Sequence, residues 1–427
     1  MRTLYSVLFS LLLPFVLIRL FWRSLKLPDY RRRWRERFAF YRSAYPTGVV
    51  WFHAVSVGEA EAVFPLVRLF QQQLPRSKIL ITTTTPTGSA RVSAVLGQSV
   101  THVYLPYDVP IVVKRFMEVF KPSLAVIVET EIWPNLFASC GENNIPLYLV
   151  NARLSEKSAR GYKKIPSLIH PVIANIQLIA TQSQDDAERF LAIGASKNQV
   201  AVVGNIKFDI DMPELTINEG KQLKATTFSS RFVWLAASTH RGEEALLLSV
   251  YKELKLTIPE LLLVIAPRHP ERFEEVADLC EGLCLKVVKR TAKERCNDMT
   301  DVFLANTMGE LKMLYAAADL AFIGGSMVEI GGHNLLEALA ANVPVLFGPY
   351  MANFKEIAEK VLANEAAIQC HDAKMLLDSI RQLYSDSNRC SRLVDNGQLF
   401  LQSNRGVALK LYYMLSERMC NLNDSTR

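Results

Sequence analysis

Two stretches of this chain set charged side chains beside turns whose backbone groups are open to a ligand. The first is IGGSMVEIGGHNLLEALAANVPVLFG, residues 323–348, in which an apolar run enters a glycine-rich loop and then a helical pattern. Glycines before a helix let the backbone approach a ligand, and the unpaired N–H groups of a first helical turn attract anions. Glu329 and Glu337 flank that junction and could accept sugar or ribose hydroxyls, so the stretch suggests a nucleotide-sugar site. A structural reading competes: a strand-to-helix turn with Asn334 as N-cap and Glu337 at N3. The second is HAVSVGE, residues 53–59, where Gly58 keeps a turn open and Glu59 begins a helix. A carboxylate there can take a proton from an attacking hydroxyl if its pKa lies near working pH. Its competitor is a capping box of Ser56 and Glu59.

Other polar groups fall at the ends of apolar runs. Thr82–Thr85 with Pro86-Thr87-Gly88-Ser89 forms a turn in which capping by Thr87 or Ser89 is the expected job. Glu129 and Glu131 stand at a further run end, in a position where chemistry is plausible. Arg268 is placed for phosphate, since a planar guanidinium makes charge-assisted contacts; its alternative is an ion pair with Glu271 or Glu274. His269 reads as a capping or packing residue. Thr307-Met308-Gly309-Glu310 opens another helix, its glycine leaving room for a nucleobase or ribose. No DxD-type acidic pair and no recurring histidine cluster stands out, so nothing demands a metal.

Short apolar runs must hold these turns. Val49–His53, Ile79–Thr83, Val100–Tyr104, Leu124–Val128, Leu147–Val150, Leu178–Ala180 and Val200–Val203 alternate with helical patterns such as Glu59–Gln73, Pro110–Phe120 and Asp185–Leu191. Apolar runs of this length suit parallel strands covered on both faces. The alternation restarts with Phe232–Ala237, Leu262–Ala266, Leu285–Lys289, Val302–Ala305, Leu320–Ile323, Pro344–Leu346 and Ala367–Gln369. The expected organisation is an N-terminal anchor and collar over 1–45, a Rossmann-like domain over 46–210, a polar linker over 211–230, a second Rossmann-like domain over 231–404 and a C-terminal helix and tail over 405–427. Two doubly wound α/β halves facing a cleft would bind ligand at the carboxyl ends of their strands. The stretch Arg405–Met419 is expected to return to the first domain.

The 427 residues exceed one ordinary core, and the 50% apolar and 21% charged composition fits a folded protein. The net charge of +7 is unevenly spread. Residues 1–50 hold ten Lys or Arg (Arg2, Arg19, Arg23, Lys26, Arg31, Arg32, Arg33, Arg35, Arg37, Arg42) against Asp29 and Glu36, a surplus that leaves the rest of the chain at about −1. This is a basic collar on a neutral body, which argues against a nucleic-acid partner. The collar follows the uncharged apolar run Leu4–Ile18, and Trp22, Trp34, Phe38, Phe40 and Tyr41 interleave with its arginines. That pattern suits an N-terminal membrane anchor, expected as a single pass with an anionic headgroup layer at the collar and the body on the cytoplasmic side. The seven cysteines show no metal-ligand spacing and suggest reduced thiols.

Ten motifs in order carry a family resemblance: HAVSVGE, TTTTPTGS, YLPYD, ETEIWPN, NARLS, GNIKFD, STHRGEE, PRHPERF, TMGEL and GGSMVEIGGHNLLEA. Together they resemble the 3-deoxy-D-manno-octulosonic acid (Kdo) transferases of lipopolysaccharide synthesis over nearly the whole chain. The resemblance implies a GT-B fold of two Rossmann-like domains and an inverting transfer, without metal or cofactor, from CMP-Kdo to a lipid A precursor. By motif it makes Glu59 the proton acceptor, and Pro267, Arg268, Met308, Gly309, Glu310, Asn334, Leu335, Leu336 and Glu337 the CMP contacts. It also implies an inner-membrane location. One departure is Leu335, where the family usually has proline, which would pre-set the helix start. Other readings are a GT-B enzyme using a different nucleotide sugar and a membrane-tethered nucleotide-binding adaptor.

Overall fold

The computed structural model describes residues 1–26, 28–41, 44–210 and 212–425; Arg42 of the expected collar lies outside the described residues. The chain forms two compact units, Met1–Asp209 with Gly406–Arg427, and Ile210–Arg405.

The first unit holds a parallel sheet of β1 (Val50–His53), β2 (Ile79–Thr83), β3 (Thr101–Tyr104), β4 (Leu124–Val128), β5 (Leu147–Ala152), β6 (Ile176–Thr181) and β7 (Val200–Val202), in the order β3-β2-β1-β4-β5-β6-β7. Every residue of β1, β2, β4 and β5 is buried, because helices cover both faces; alternate residues such as Trp51 and Phe52 enter separate cores. Strand order reverses between β1 and β4, so the crevice beyond their carboxyl ends is the place where an α/β sheet binds ligands. The second unit repeats the plan with β8 (Phe232–Thr239), β9 (Leu261–Pro267), β10 (Val287–Lys289), β11 (Val302–Leu304), β12 (Leu320–Ile323), β13 (Val345–Phe347) and β14 (Ile368–Gln369), ordered β10-β11-β9-β8-β12-β13-β14. Its order reverses between β8 and β12.

Residues 211–230 differ from the expected polar linker. They contain the helix Glu214–Leu223 and a π-helical turn, Lys224–Phe228, within the second unit. Gly220 is the reason: a Cβ there would lie 2.5 Å from the Ala316 Cβ and 2.6 Å from the Met313 carbonyl, so only glycine lets this helix press on Leu311–Ala317. Phe228 is fully buried, edge-on to Phe303 at 4.9 Å. The C-terminal helix Val407–Ser425 belongs to the first unit, with Leu411 and Leu415 in its core and Tyr412 edge-on to Phe70 at 5.2 Å.

The N-terminal helix, Arg2–Lys26, is long and apolar enough to cross a membrane, and its window is wholly unburied. It is nevertheless held at both ends by the first unit. At its start Arg2 pairs with Glu142 at 2.7 Å and Ser6 bonds to Asn135 at 2.8 Å. At its end Arg31 donates to the Ser24 hydroxyl at 2.9 Å, and the chain from Arg33 to Arg37 is stitched to the sheet. The Arg33 guanidinium donates to the His102 carbonyl at 2.7 Å and that of Arg37 to the Thr84 carbonyl at 2.7 Å. These contacts join the two ends of the helix to the first unit, and its length, apolar composition and exposure are compatible with the expected membrane anchor. Part of the collar is likewise structural: Arg37 is buried under the Tyr104 ring at 4.3 Å, while Arg31, Arg32 and Arg35 stay exposed.

Candidate active site

In the first unit the site begins where β1 ends. Ser56, in an extended conformation, caps the helix Val57–Gln73 by accepting from the Glu59 N–H. The Glu59 carboxylate in turn accepts from the Val55 N–H at 2.6 Å and the Ser56 hydroxyl at 3.1 Å. The adjacent turn after β2 supports Val55, whose carbonyl accepts from the Thr84 N–H at 3.2 Å and the Thr85 hydroxyl at 3.3 Å. Thr85, not Thr87 or Ser89, caps the helix that follows, and Ser89 accepts from Arg33 at 3.2 Å. Burial pushes the Glu59 carboxyl up to about 7; the Val55 N–H opposes it, while Glu129 and Glu131 add like-charge repulsion. Those two carboxylates leave the end of β4, across the order reversal, so the structure unites three acids that the sequence scatters.

Glu129 sits in left-handed backbone at φ 61° and pairs with Lys207 at 2.9 Å. Glu131 accepts from the Trp133 indole at 2.9 Å, and burial raises its pKa. Sequence reasoning gave Lys207 no role. A chain of buried amides places it: the Gln182 amide donates to the Asn151 carbonyl at 2.9 Å, Asn205 donates to Gln182 at 2.9 Å, and the Lys207 N–H donates to Asn205 at 3.0 Å. Only the GNIKFD motif pointed to that turn.

The second unit gathers its polar groups beyond β8, β9 and β12. Arg268 follows β9, its N–H bonded to the Thr239 carbonyl at 3.0 Å. Its expected competitors are engaged elsewhere, Glu274 with Lys289 at 2.7 Å and Glu271 with His269 at 4.0 Å; among the described residues Arg268 has no ion pair. Glu310 is clamped by Arg290 at 2.9 and 3.1 Å and by the Thr307 hydroxyl; burial raises its carboxyl, but these donors outweigh it and hold the pKa below the ordinary value. Gly309 takes φ 88°, and Met308 is exposed beside it.

At its start the glycine loop gives three of its N–H groups to an internal acid. Glu243, fully buried, accepts from the N–H groups of Gly325 at 2.6 Å, Ser326 at 3.0 Å, Met327 at 2.9 Å and His240 at 3.0 Å. An internal carboxylate thus occupies the loop's donors. Gly324 packs where a Cβ would lie 2.4 Å from the Ser238 carbonyl, and Gly325 leaves room for the His333 and His240 rings. The helix after the loop is only Leu336–Ala340, and Leu335 rather than Asn334 precedes it. Asn334 still caps, its side-chain oxygen accepting from the Leu336 N–H at 3.1 Å. Leu335 and Leu336 are fully buried, main chain included, and the Leu336 N–H is spent on Asn334. Burial raises the Tyr315 phenol on the neighbouring helix Leu311–Ala317, with Glu337 adding to it, and the start of that helix carries Glu310. Glu329 lines a separate surface pocket with Ile330, Tyr350 and Lys355.

Residues 32–210 match the family described as 3-deoxy-D-manno-octulosonic-acid transferase (kdotransferase), and residues 237–400 match glycosyl transferases group 1. The chain is 38% identical over 417 residues to the 3-deoxy-D-manno-octulosonic acid transferase of Haemophilus influenzae, covering 97% of this chain and 98% of that one. It is 34% identical over 368 residues to the Bordetella pertussis protein of the same name, covering 84% of each. The UDP-GlcNAc 2-epimerase of Neisseria meningitidis shares the fold, with a TM-score of 0.56 at 15% identity over 87% of this chain and all of that one. With two seven-stranded parallel sheets and relatives this similar along nearly its full length, the chain belongs to the Kdo transferase family and is a glycosyltransferase of GT-B fold.

Proposed function

We propose that this enzyme moves Kdo from CMP-Kdo to a lipid A precursor, lipid IVA, with inversion and with Glu59 as the base. The observation that carries this reading is the Glu59 carboxyl, pushed up to about 7 beside Glu129 and Glu131 at the sheet's order reversal. A carboxyl poised there is half ionised near neutral pH, where a general base works best. Glu59 accepts the proton of an acceptor hydroxyl as its oxygen bonds to the anomeric carbon of Kdo. The bond from that carbon to the phosphate oxygen breaks, its electron pair leaves with CMP, and the transition state has oxocarbenium character. The Glu129–Lys207 pair keeps a cation beside the carboxylates.

In the second unit, Pro267, Arg268, Met308, Gly309, Glu310, Asn334, Leu335, Leu336 and Glu337 are the proposed CMP contacts. Arg268, unengaged by any acid among the described residues, neutralises the departing phosphate, so this route invokes no metal. Leu335 in place of proline leaves the helix start less pre-set, without removing the Asn334 cap.

The N-terminal helix seats the enzyme in the plane of the inner membrane's cytoplasmic face. Leu11, Phe15 and Trp22 enter the acyl boundary, and exposed Arg31, Arg32 and Arg35 meet anionic headgroups. The basic charge serves lipid rather than nucleic acid.

Glu59→Gln is expected to lose transfer from CMP-Kdo to lipid IVA by at least a hundredfold while binding CMP normally. Turnover at the wild-type rate in that variant would remove Glu59 from the base role.

A further inference from the structure

Beyond the ends of β8 and β12, three imidazoles converge that the sequence separates widely. The rings of His240 and His333 are nearly parallel, 9° apart with centroids 5.0 Å apart, and their Nε2 atoms lie 2.8 Å from each other. His269 meets His240 edge-on at 5.3 Å. Two ring nitrogens at that separation share a hydrogen bond, so one Nε2 carries a proton and the other a lone pair. In the neutral pair one ring therefore keeps an unprotonated Nδ1. A proton added there makes the pair a cation without breaking the Nε2 contact.

The surroundings disfavour a positive charge on the pair. Burial lowers the pKa of His240, with His269, Arg268 and Arg272 acting in the same direction and Glu244 against them. Burial lowers His333 to about 4, helped by His240, Arg268 and His269. The acids nearby are committed: Glu244 to Arg272 at 2.5 Å, and Glu243 to four backbone N–H groups. With these carboxylates engaged and Arg268 in no ion pair among the described residues, the cluster is arranged for an external anion. Asn334, the next residue after His333, caps the turn proposed above to meet the nucleotide.

We propose that His240, His333 and Arg268 form a phosphate subsite in which the histidine pair takes up one proton from solvent as the nucleotide's phosphate binds. The inference rests on the donor reading given above. When the bond to Kdo breaks and its electron pair remains on the phosphate oxygen, the protonated pair offers an N–H to the new charge. The proton stays on the imidazole, and bases and charges balance. His240 and His333 thereby join Arg268 as phosphate-binding residues.

Titration calorimetry of CMP into the full-length protein in detergent, near pH 6.5 and in buffers of differing ionisation enthalpy, tests this. Wild type is expected to show net proton uptake, with CMP affinity rising as pH falls by up to about tenfold per pH unit. His240→Gln and His333→Gln should each bind CMP with that uptake lost, and His269→Gln should retain it. CMP binding whose heat is the same in every buffer, or uptake that survives in both the His240 and His333 variants, overturns the proposal. A wild-type protein that fails to bind CMP overturns the donor reading instead.

Discussion

The Glu59 carboxyl accepts from Val55 and Ser56 while its own N–H is capped by Ser56, so the capping and base readings describe one side chain. The cap fixes the geometry, and burial with the β4 acids sets the proton affinity. The sign of its pH dependence follows from a pKa raised from 4.5 to about 7. In the proposed base role Glu59 must be ionised, so kcat/KM for the acceptor should fall about tenfold per pH unit below about 7, read from a pH–rate profile. For stability, the folded state binds this proton more tightly than the unfolded chain. Its contribution is full below the unfolded value and is lost as pH rises through 7. Glu59→Gln should therefore be more stable than wild type at about pH 8, by on the order of 2 kcal/mol, with the gap closing toward pH 4 in thermal melts. Glu59 was legible because its helix start follows a strand end in one short motif. Lys207 and the histidine pair were not, since their partners lie 78 and 93 residues away.

At the scale of elements, the apolar runs located the fourteen strands among the described residues; the central ones are apolar throughout because both their faces are buried. The helix Glu214–Leu223 escaped because its close contact is made by Gly220, which carries no apolar signature. In the glycine loop, Gly324 serves close packing and the N–H groups of Gly325, Ser326 and Met327 serve Glu243, whose adjoining pair Glu243-Glu244 looks in sequence like any charged helix start. Glu243→Gln puts an amide N–H where a carboxylate oxygen faces backbone donors. It should cost about 2–4 kcal/mol of unfolding free energy in the second unit and weaken CMP binding, measured by denaturant titration and calorimetry. Equal stability and affinity in the variant would show that the loop holds its shape unaided.

For the molecule as a whole, composition separated a basic collar from a neutral body and located the apolar N-terminal helix that the structure contains. What it could not show is Arg2–Glu142 and Ser6–Asn135, polar pairs joining the start of that helix to a distant part of the chain. Ser6→Cys with Asn135→Cys should form a disulfide in membrane-bound enzyme and leave transfer within about twofold of wild type. A spanning helix would leave the two thiols unlinked. The C-terminal helix bears on the same unit in another way. Asp209 accepts from the N–H groups of Gly406 and Ala408, and Leu411 and Leu415 complete the core beneath the first sheet. The first unit is therefore the last to be finished during translation. It must wait, with Phe70 uncovered, until the whole second unit has left the ribosome, so a message cut short near its end damages the half of the protein that was made first.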